Sequence, residues 1–136
     1  MAEIDIGVLR TVGFEVQNFI VFCDVFTGFT YAEPIATREQ VGYEEAIAKI
    51  LNKAGKYEVV YGDGEFKKSE NFFKRKNILL KIKPPEQHLN FVESKVGIIK
   101  KRLFLAMRNK QTRNWPQFLQ NIVKGINSTP SHHIGM

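Results

Sequence analysis

The sequence predicts one α/β domain, built as a five-stranded mixed sheet flanked by helices. Its 136 residues are the length of a single ordinary domain and are enough to bury a core. The apolar fraction of 43% and the charged fraction of 25% are typical of a globular protein. The hydrophobic periods follow the order β-β-β-α-β-α-β-α-α, which predicts helices packed against one sheet.

The first third of the chain predicts three strands. Residues 2–9 alternate between apolar and polar side chains, which places Asp5 on the face opposite its isoleucine neighbours. Residues 19–26 and 29–35 are rich in aromatic and β-branched residues, and the Thr-Gly pair between them predicts a hairpin turn. Because proline lacks a backbone N–H, Pro34 should end the pairing near the edge of the third strand.

The middle of the chain predicts helices alternating with strands. The Thr-Arg-Glu-Gln sequence at 37–40 is a capping-box pattern, and the helix that follows it should stop at Gly55. Residues 57–61 form a short apolar run that a Gly-Asp-Gly turn closes. A short basic helix over 68–76 and a strand over 78–82 come next.

Two helices are predicted for the rest of the chain. The segment 83–90 contains two consecutive prolines, which exclude regular structure. Asn90 should then cap a long helix over 91–109, whose apolar residues lie on one stripe. Asn114 should cap the last helix, with Pro116 in the first turn, where its missing N–H is harmless.

Cysteine usage and hydropathy exclude several classes of protein. The single cysteine, Cys23, cannot form an internal disulfide, and with three histidines a four-ligand Cys/His zinc site is not expected. No apolar run is long enough to cross a bilayer, and residues 1–10 lack the basic start of a signal peptide. We therefore expect an intracellular protein, nuclear or cytoplasmic, without a membrane partner.

The net charge of +6 conceals a strong asymmetry between the two halves of the chain. Residues 1–66 hold five Lys/Arg and eleven Asp/Glu, a net charge of −6. Residues 67–136 hold fifteen Lys/Arg and three Asp/Glu, a net charge of +12. The basic half indicates a polyanion partner, with nucleic acid first. A solvated basic face without any partner is the alternative interpretation.

Three carboxylates are candidates for a metal site. Asp5 lies in the first strand, Asp63 directly follows the fourth, and Glu93 lies in the first turn of the long helix. If the first and fourth strands are neighbours, the two aspartates meet at one edge and the helix can bring Glu93 beside them. Oxygen ligands of this kind suit Mg²⁺ or Mn²⁺, and two such ions about 4 Å apart can support phosphoryl transfer.

Each of these carboxylates also has a structural interpretation. Asp5 could be an exposed strand residue, Asp63 a turn former, and Glu93 a residue that favours a helix N-terminus. Asp24 and Glu65 are rival acidic residues. Asp24 follows a hydrophobic strand and could instead accept hydrogen bonds from the turn after it.

Four segments carry a resemblance to a known family. They are IVFCDVFTGFTYAEPI (20–35), VVYGDGEF (59–66), HLNFVESKVGIIKKRL (88–103) and NWPQFLQNIVKGINSTPSHHIGM (114–136). In these segments the sequence resembles the catalytic core of retroviral-type integrases, in the ribonuclease H-like, Asp-Asp-Glu superfamily, and is most similar to Polinton/Maverick transposon integrases. The resemblance implies that residues 1–136 form one integrase catalytic core domain.

The resemblance also implies an activity. Asp5, Asp63 and Glu93 match the three family carboxylates and would hold two Mg²⁺ or Mn²⁺ ions. The chain would be a metal-dependent polynucleotidyl transferase, which cleaves DNA near a 3′ end and joins that end to a target strand. Cores of this family form two-fold homodimers, and the helix over 91–109 and the Trp115 helix are the candidate contact surfaces here.

Basic residues that follow Glu93 on its helix are candidates for DNA binding. They are Lys95, Lys100, Lys101 and Arg102. Lysine and arginine hold the phosphate backbone with little regard to base sequence, so these four would keep DNA near the metal ions. A solvated helix face is the alternative.

Two other functions remain open at this point. Ser94 and Val96 stand where the family often has Arg and Asn, which favours a catalytically decayed or domesticated core that dimerises and binds nucleic acid. A ribonuclease or a junction-resolving nuclease on the same fold is the third possibility, because a fold does not fix a function.

Overall fold

A computed structural model describes residues 1–9, 18–35, 39–84 and 90–128. In chain order, the elements are β1 (Ala2–Val8), β2 (Asn18–Asp24), β3 (Thr30–Ile35), α1 (Gln40–Ala54), β4 (Val59–Gly62), a 3₁₀ helix (Gly64–Ser69), α2 (Glu70–Arg75), β5 (Leu79–Ile82), α3 (Asn90–Lys110) and α4 (Pro116–Ser128). The predicted order of strands and helices is confirmed. No helix within the described ranges is long and apolar enough to cross a membrane.

The five strands form one mixed sheet in the order β3-β2-β1-β4-β5. The strands β1, β2 and β3 pair antiparallel, as consecutive strands joined by short connections can. Strand β4 pairs with β1 in parallel, and β5 pairs with β4 in parallel. A connection that contains a helix precedes each of these two strands. The predicted adjacency of the first and fourth strands is therefore present.

Helices cover both faces of the sheet, so the domain has two apolar cores. The core on the α1 and α2 side includes Ile4, Ile20, Phe22, Tyr43, Ile47, Val60, Phe66 and Phe73. The core on the α3 and α4 side includes Phe19, Val21, Val92, Ile99, Leu103, Trp115, Leu119 and Val123. Because side chains alternate along β1, Ile4 faces the first core and Asp5 faces the side that carries α3.

The free edge of β3 is capped by side chains of α4. The amide of Asn127 pairs with the backbone of Thr30, accepting from its N–H and donating to its C=O, each at 2.7 Å. Gln120 donates to the C=O of Ala32 at 2.9 Å. Pro34 was expected to end the pairing, but it lies inside β3, one residue before its end. An edge strand tolerates this proline because one side of the strand needs no ladder donor.

The helix starts differ slightly from the sequence prediction. Helix α1 has Glu39 as its N-cap residue, and the first two residues of the predicted capping box, 37 and 38, lie outside the described part of the chain. Asn90 is the first residue of α3 rather than the residue before it, and Asn114 lies two residues before the start of α4. Differences of one or two residues are usual where helix ends fray.

Candidate active site

The parallel pairing of β1 and β4 brings two aspartates together. Glu3 of β1 is the partner of Tyr61 in β4, and Asp5 and Asp63 each lie two residues further along the chain. Strand β4 ends at Gly62, so Asp63 lies directly after its carboxyl end. Residues two apart on a strand share a face, which puts Asp5 beside the end of β4 on the side that carries α3.

The Asp5 carboxyl group is half-buried and surrounded by other acidic groups. Its pKa is raised to about 6, first by loss of hydration and then by the charges of Asp63, Glu93 and Glu65. A hydrogen bond of 2.8 Å from the Ile6 N–H partly opposes this rise. The three neighbouring carboxylates are therefore within electrostatic reach of Asp5.

Asp63 combines a local structural role with a place in the carboxylate group. Its Oδ1 accepts the Glu65 N–H at 3.0 Å and so caps the 3₁₀ helix that follows β4. The pKa of Asp63 is raised by partial desolvation and by the charges of Glu65 and Glu93, against the lowering effect of this hydrogen bond. The predicted turn role is therefore present, and the same carboxylate lies within reach of the charges of Glu65 and Glu93.

Glu93 reaches the aspartates because of the way in which α3 begins. Glu3 lies two residues before Asp5 on the same face of β1, and its Oε1 accepts hydrogen bonds from the backbone N–H groups of Phe91 and Val92. Glu93 is the next residue of that first turn and its side chain is exposed. The helix start therefore delivers Glu93 to the end of the sheet where Asp5 lies.

Glu65 is a fourth acidic residue at this edge. Its Oε2 accepts a hydrogen bond of 2.7 Å from the hydroxyl of Tyr43, a fully buried residue of α1. The ammonium group of Lys68 lies 4.0 Å from the centre of the Tyr43 ring. Glu65 thus has a partner of its own on the α1 side, while its charge still acts on Asp5 and Asp63.

Asp24, the other rival carboxylate, belongs to the β2–β3 turn. Its Oδ1 accepts the N–H groups of Phe26 and Thr27, both at 2.9 Å, and its Oδ2 accepts the Tyr57 hydroxyl at 2.7 Å. These contacts confirm the structural role expected from the sequence. Asp24 is the β2 partner of Ala2, the first residue of β1, whereas Asp5 is paired with Val21 in the middle of the strand.

The chemistry of the carboxylates, though not their present spacing, suits a divalent cation. In the described part of the chain, no three acidic, His or Cys side chains are already gathered tightly enough to hold a metal ion. All the converging donors are hard oxygen atoms, the type that Mg²⁺ and Mn²⁺ prefer. The pKa values of Asp5 and Asp63 are raised first by loss of hydration and then by neighbouring negative charges, and a cation between the carboxylates would neutralise those charges.

The four basic residues predicted to bind DNA lie on two different sides of α3. At 3.6 residues per turn, Lys100 lies two turns after Glu93 on the same side, roughly 10 Å along the axis, with exposed Lys101 next to it. Lys95 and Arg102 face the opposite way. The charge of Lys95 acts on the Cys23 thiol in β2, and the guanidinium of Arg102 lies against Gly125 of α4.

Lys81 in β5 and Lys83 directly after it lie beside Tyr61 of β4, and the sequence interpretation missed them. The ammonium groups of Lys81 and Lys83 lie 5.7 Å and 5.3 Å from the centre of the Tyr61 ring. Lys83 also lies 3.8 Å from Glu3 Oε2. The alternation of residues 81–83 next to a predicted strand could have indicated that both lysines share a face, but not that this face adjoins Tyr61.

No protein-family model and no curated protein matches the sequence. Solved structures do match the fold. A chain of the simian T-cell lymphotropic virus intasome in complex with the PP2A regulatory subunit B56 gamma superimposes with a TM-score of 0.85 at 15% sequence identity. The alignment covers 96% of the present chain and 50% of the intasome chain, so the present chain spans half the length of that protein.

A second similar structure is the catalytic core domain of BIV integrase. Its TM-score is 0.75 at 15% identity, and the alignment covers 96% of the present chain and 84% of that core. The five-stranded mixed sheet with flanking helices is therefore a ribonuclease H-like fold of the kind found in retroviral integrase catalytic cores. At this level of identity the likeness shows the fold, and the chemistry must be argued from the residues.

Proposed function

We propose that this chain is the catalytic core of a DNA integrase or transposase, with Asp5, Asp63 and Glu93 as ligands of two divalent cations. The observation that carries the proposal is that the charge of Glu93, at the start of α3, acts on both Asp5 of β1 and Asp63 at the end of β4. The integrase-like fold supports it. The four sequence segments described above support kinship with the Polinton/Maverick integrases.

The protein groups would prepare a site for phosphoryl transfer. Bound cations would activate the attacking oxygen and stabilise the leaving oxygen at a DNA phosphodiester. Asp5 contributes a poorly hydrated carboxylate on a rigid central strand, and Asp63 contributes a carboxylate fixed by its bond to the 3₁₀ helix. Glu93 approaches from the exposed side, where DNA would enter. Since cations bind the ionised carboxylates, metal affinity should increase as the pH rises through 6.

Metal removal tests this proposal. A duplex labelled at its 3′ end is incubated with the protein and Mg²⁺ or Mn²⁺, and both end cleavage and joining to a second duplex are measured. We expect products with either cation and none after chelation with EDTA. Catalysis that persists in EDTA would contradict the proposal.

We further propose that Lys100 and Lys101 hold the DNA backbone beside Glu93. Replacing both with Glu should weaken binding to every duplex and reduce the salt slope of binding by about two, one unit for each lost phosphate contact. A titration at three salt concentrations measures both quantities. The matched control is Lys49→Glu with Lys56→Glu, which makes the same charge change at exposed positions in and just after α1. Equal slopes in both double variants would exclude a specific role for the α3 pair.

We propose that the chain forms a homodimer through the outer face of α3. Ile98 and Leu105, seven residues apart on one side of the helix, are exposed by 37% and 42%, whereas Phe104, exposed by 49%, lies nearer the side of Glu93 and Lys100. The Trp115 helix, the other candidate from the sequence, buries its apolar residues in the core of its own chain. Light scattering should give twice the chain mass, and Leu105→Glu should reduce it to one. A monomer at high concentration would contradict this.

A non-catalytic module is the second candidate function. It is favoured by the absence, within the described residues, of a preformed metal-binding group and by the exposed position of Glu93. Such a module would still dimerise and bind DNA, but added Mn²⁺ would leave its melting temperature unchanged. The catalytic proposal predicts a rise, because a ligand that binds only the folded state stabilises it.

A further inference from the structure

A buried carboxylate links the central strand to the start of α3. Glu3 is 5% exposed, and its Oε1 accepts the N–H groups of Phe91 at 3.1 Å and Val92 at 3.0 Å. These contacts join residues that are 88 and 89 positions apart in the chain. The ammonium group of Lys83 lies 3.8 Å from Oε2.

The contacts of Glu3 are those that the start of a helix requires. The first N–H groups of an α-helix have no partner within the helix, and the partial positive charge there favours an acidic group. A buried carboxylate is costly unless it is hydrogen-bonded and paired. Glu3 satisfies both needs at once, and it does so from a different element, β1, instead of from the residue before the helix.

The position of Glu3 gives this contact a consequence for the site. Asp5 lies two residues after Glu3 on the same face of β1, and Glu93 directly follows Val92, whose N–H Glu3 accepts. The two hydrogen bonds therefore connect, by short rigid backbone segments, the strand that carries one carboxylate with the helix turn that carries another. Helix α3 packs on β1 and β2 further along through Val92, Ile99 and Leu103, but those contacts do not involve its first backbone groups.

We propose that Glu3 is a positioning residue, which fixes the first turn of α3 against β1 and thereby sets the placement of Glu93 relative to Asp5. The effect of Glu3 on a metal site rests on the proposed function. Its role in holding the first turn of α3 against β1 rests only on the two hydrogen bonds. Both N–H groups donate to the same oxygen, so the place of that oxygen contributes to the contact together with the negative charge. A glutamine can present an equivalent oxygen, whereas an aspartate is one methylene too short.

Three variants and one control test the proposal. The variants are Glu3→Ala, Glu3→Asp and Glu3→Gln, and each is first checked for folding by circular dichroism. The control is Glu33→Ala, which removes another largely buried carboxylate, paired with Lys53 at 3.1 Å on β3, away from α3. Amide hydrogen exchange is measured at Phe91 and Val92, and Mn²⁺ affinity is measured by calorimetry.

The expected results separate bond geometry from charge. Glu3→Ala and Glu3→Asp should speed exchange at the two amides by about tenfold, as expected for the loss of a buried hydrogen bond. The same two variants should weaken Mn²⁺ binding about 10- to 100-fold, the usual effect of losing a group that orients a metal ligand. Glu3→Gln keeps an acceptor oxygen at the right length and should stay closer to wild type than Glu3→Asp in both measurements, and Glu33→Ala should change neither. If Glu3→Ala does not fold, the contrast between Asp and Gln still decides.

Other outcomes would overturn the proposal or the function on which it rests, and the two failures differ. Unchanged exchange in Glu3→Asp would show that Glu3 does not hold the helix start. Faster exchange with unchanged Mn²⁺ affinity would show that the helix start does not place Glu93. A wild-type protein that binds no Mn²⁺ would contradict the proposed function, and exchange at Phe91 and Val92 would still decide the structural part of the inference.

Discussion

Replacement of Asp5 by Asn should raise the melting temperature at pH 8 and abolish metal-dependent DNA cleavage. Folding raises the pKa of Asp5 from 3.8 to about 6, because the carboxylate loses hydration and lies near Asp63, Glu93 and Glu65. The ionised form is therefore less favourable in the folded than in the unfolded chain. Asparagine removes the charge and can keep the hydrogen bond from the backbone N–H of the next residue.

The stability difference between Asp5→Asn and the wild type should depend on pH. Below the unfolded pKa of 3.8, the Asp5 carboxyl is protonated in both states and the variant should match the wild type. As the pH rises from 3.8 to 6, the wild type loses stability relative to the variant. Above pH 6 the difference should stay constant at about 1–3 kcal/mol, since each pKa unit corresponds to about 1.4 kcal/mol. Thermal melts at pH 3.5, 5, 6.5 and 8 measure it in the absence of metal.

The control for Asp5 is an aspartate with the opposite pKa shift. Burial would raise the pKa of Asp24, but hydrogen bonds from Tyr57 and from the N–H groups of Thr27 and Phe26 hold it below its usual value. Asp24→Asn should therefore lower the melting temperature at pH 8, and the difference should shrink as the pH falls below 4. If both variants shift the melting temperature in the same direction at pH 8, the electrostatic account of Asp5 is wrong.

Replacement of Glu93 by Gln should have the second large effect, a loss of DNA cleavage and strand transfer without loss of folding. Removal of a group that only orients a metal ligand costs about 10–100-fold, so loss of a ligand should cost more than about 100-fold. Glu93 is exposed, and glutamine is a good helix former, so the melting temperature should change little. Initial rates at saturating Mn²⁺ measure the effect.

The matched control for Glu93 is Glu70→Gln. Glu70 is also exposed and also lies in the first turn of a helix, α2. It therefore matches Glu93 in exposure and helix position, but it does not belong to the proposed metal site. We expect this control to retain wild-type rates. Near-normal activity of the Glu93→Gln protein would show that Glu93 is not a metal ligand. Any metal site would then have to be formed by Asp5 and Asp63 without it.

Much of the fold could be predicted from the sequence because its signals are local. Alternation in residues 2–9 correctly separated Asp5 from Ile4, and the helical stripe of 91–109 correctly anticipated the burial of Val92, Ile99 and Leu103. The places of Asp5 in the first strand and Asp63 after the fourth also indicated that the two residues could lie near each other. This expectation required only that β1 and β4 be neighbours in the sheet, as they are. Periodicity and turn chemistry carry this information within short windows.

The details of the site could not be predicted because they depend on contacts between distant residues. Nothing near Glu3 in the sequence indicates that it accepts hydrogen bonds from α3, and Asn90 was the obvious local candidate for a cap. The basic run on α3 suggested one DNA-binding face, but the helix turns Lys95 and Arg102 toward β2 and α4. Only tertiary packing decides which side of a helix faces a site.

A crystal soaked in Mn²⁺ tests most directly the claim that the carboxylates form a metal site. The account predicts anomalous difference peaks bounded by the carboxyl groups of Asp5 and Asp63, with Glu93 in contact with at least one of them. It also predicts that the peaks disappear in crystals of the Asp63→Asn variant. Wild-type crystals that show no peak at these carboxylates, or peaks only elsewhere on the protein, would contradict the account.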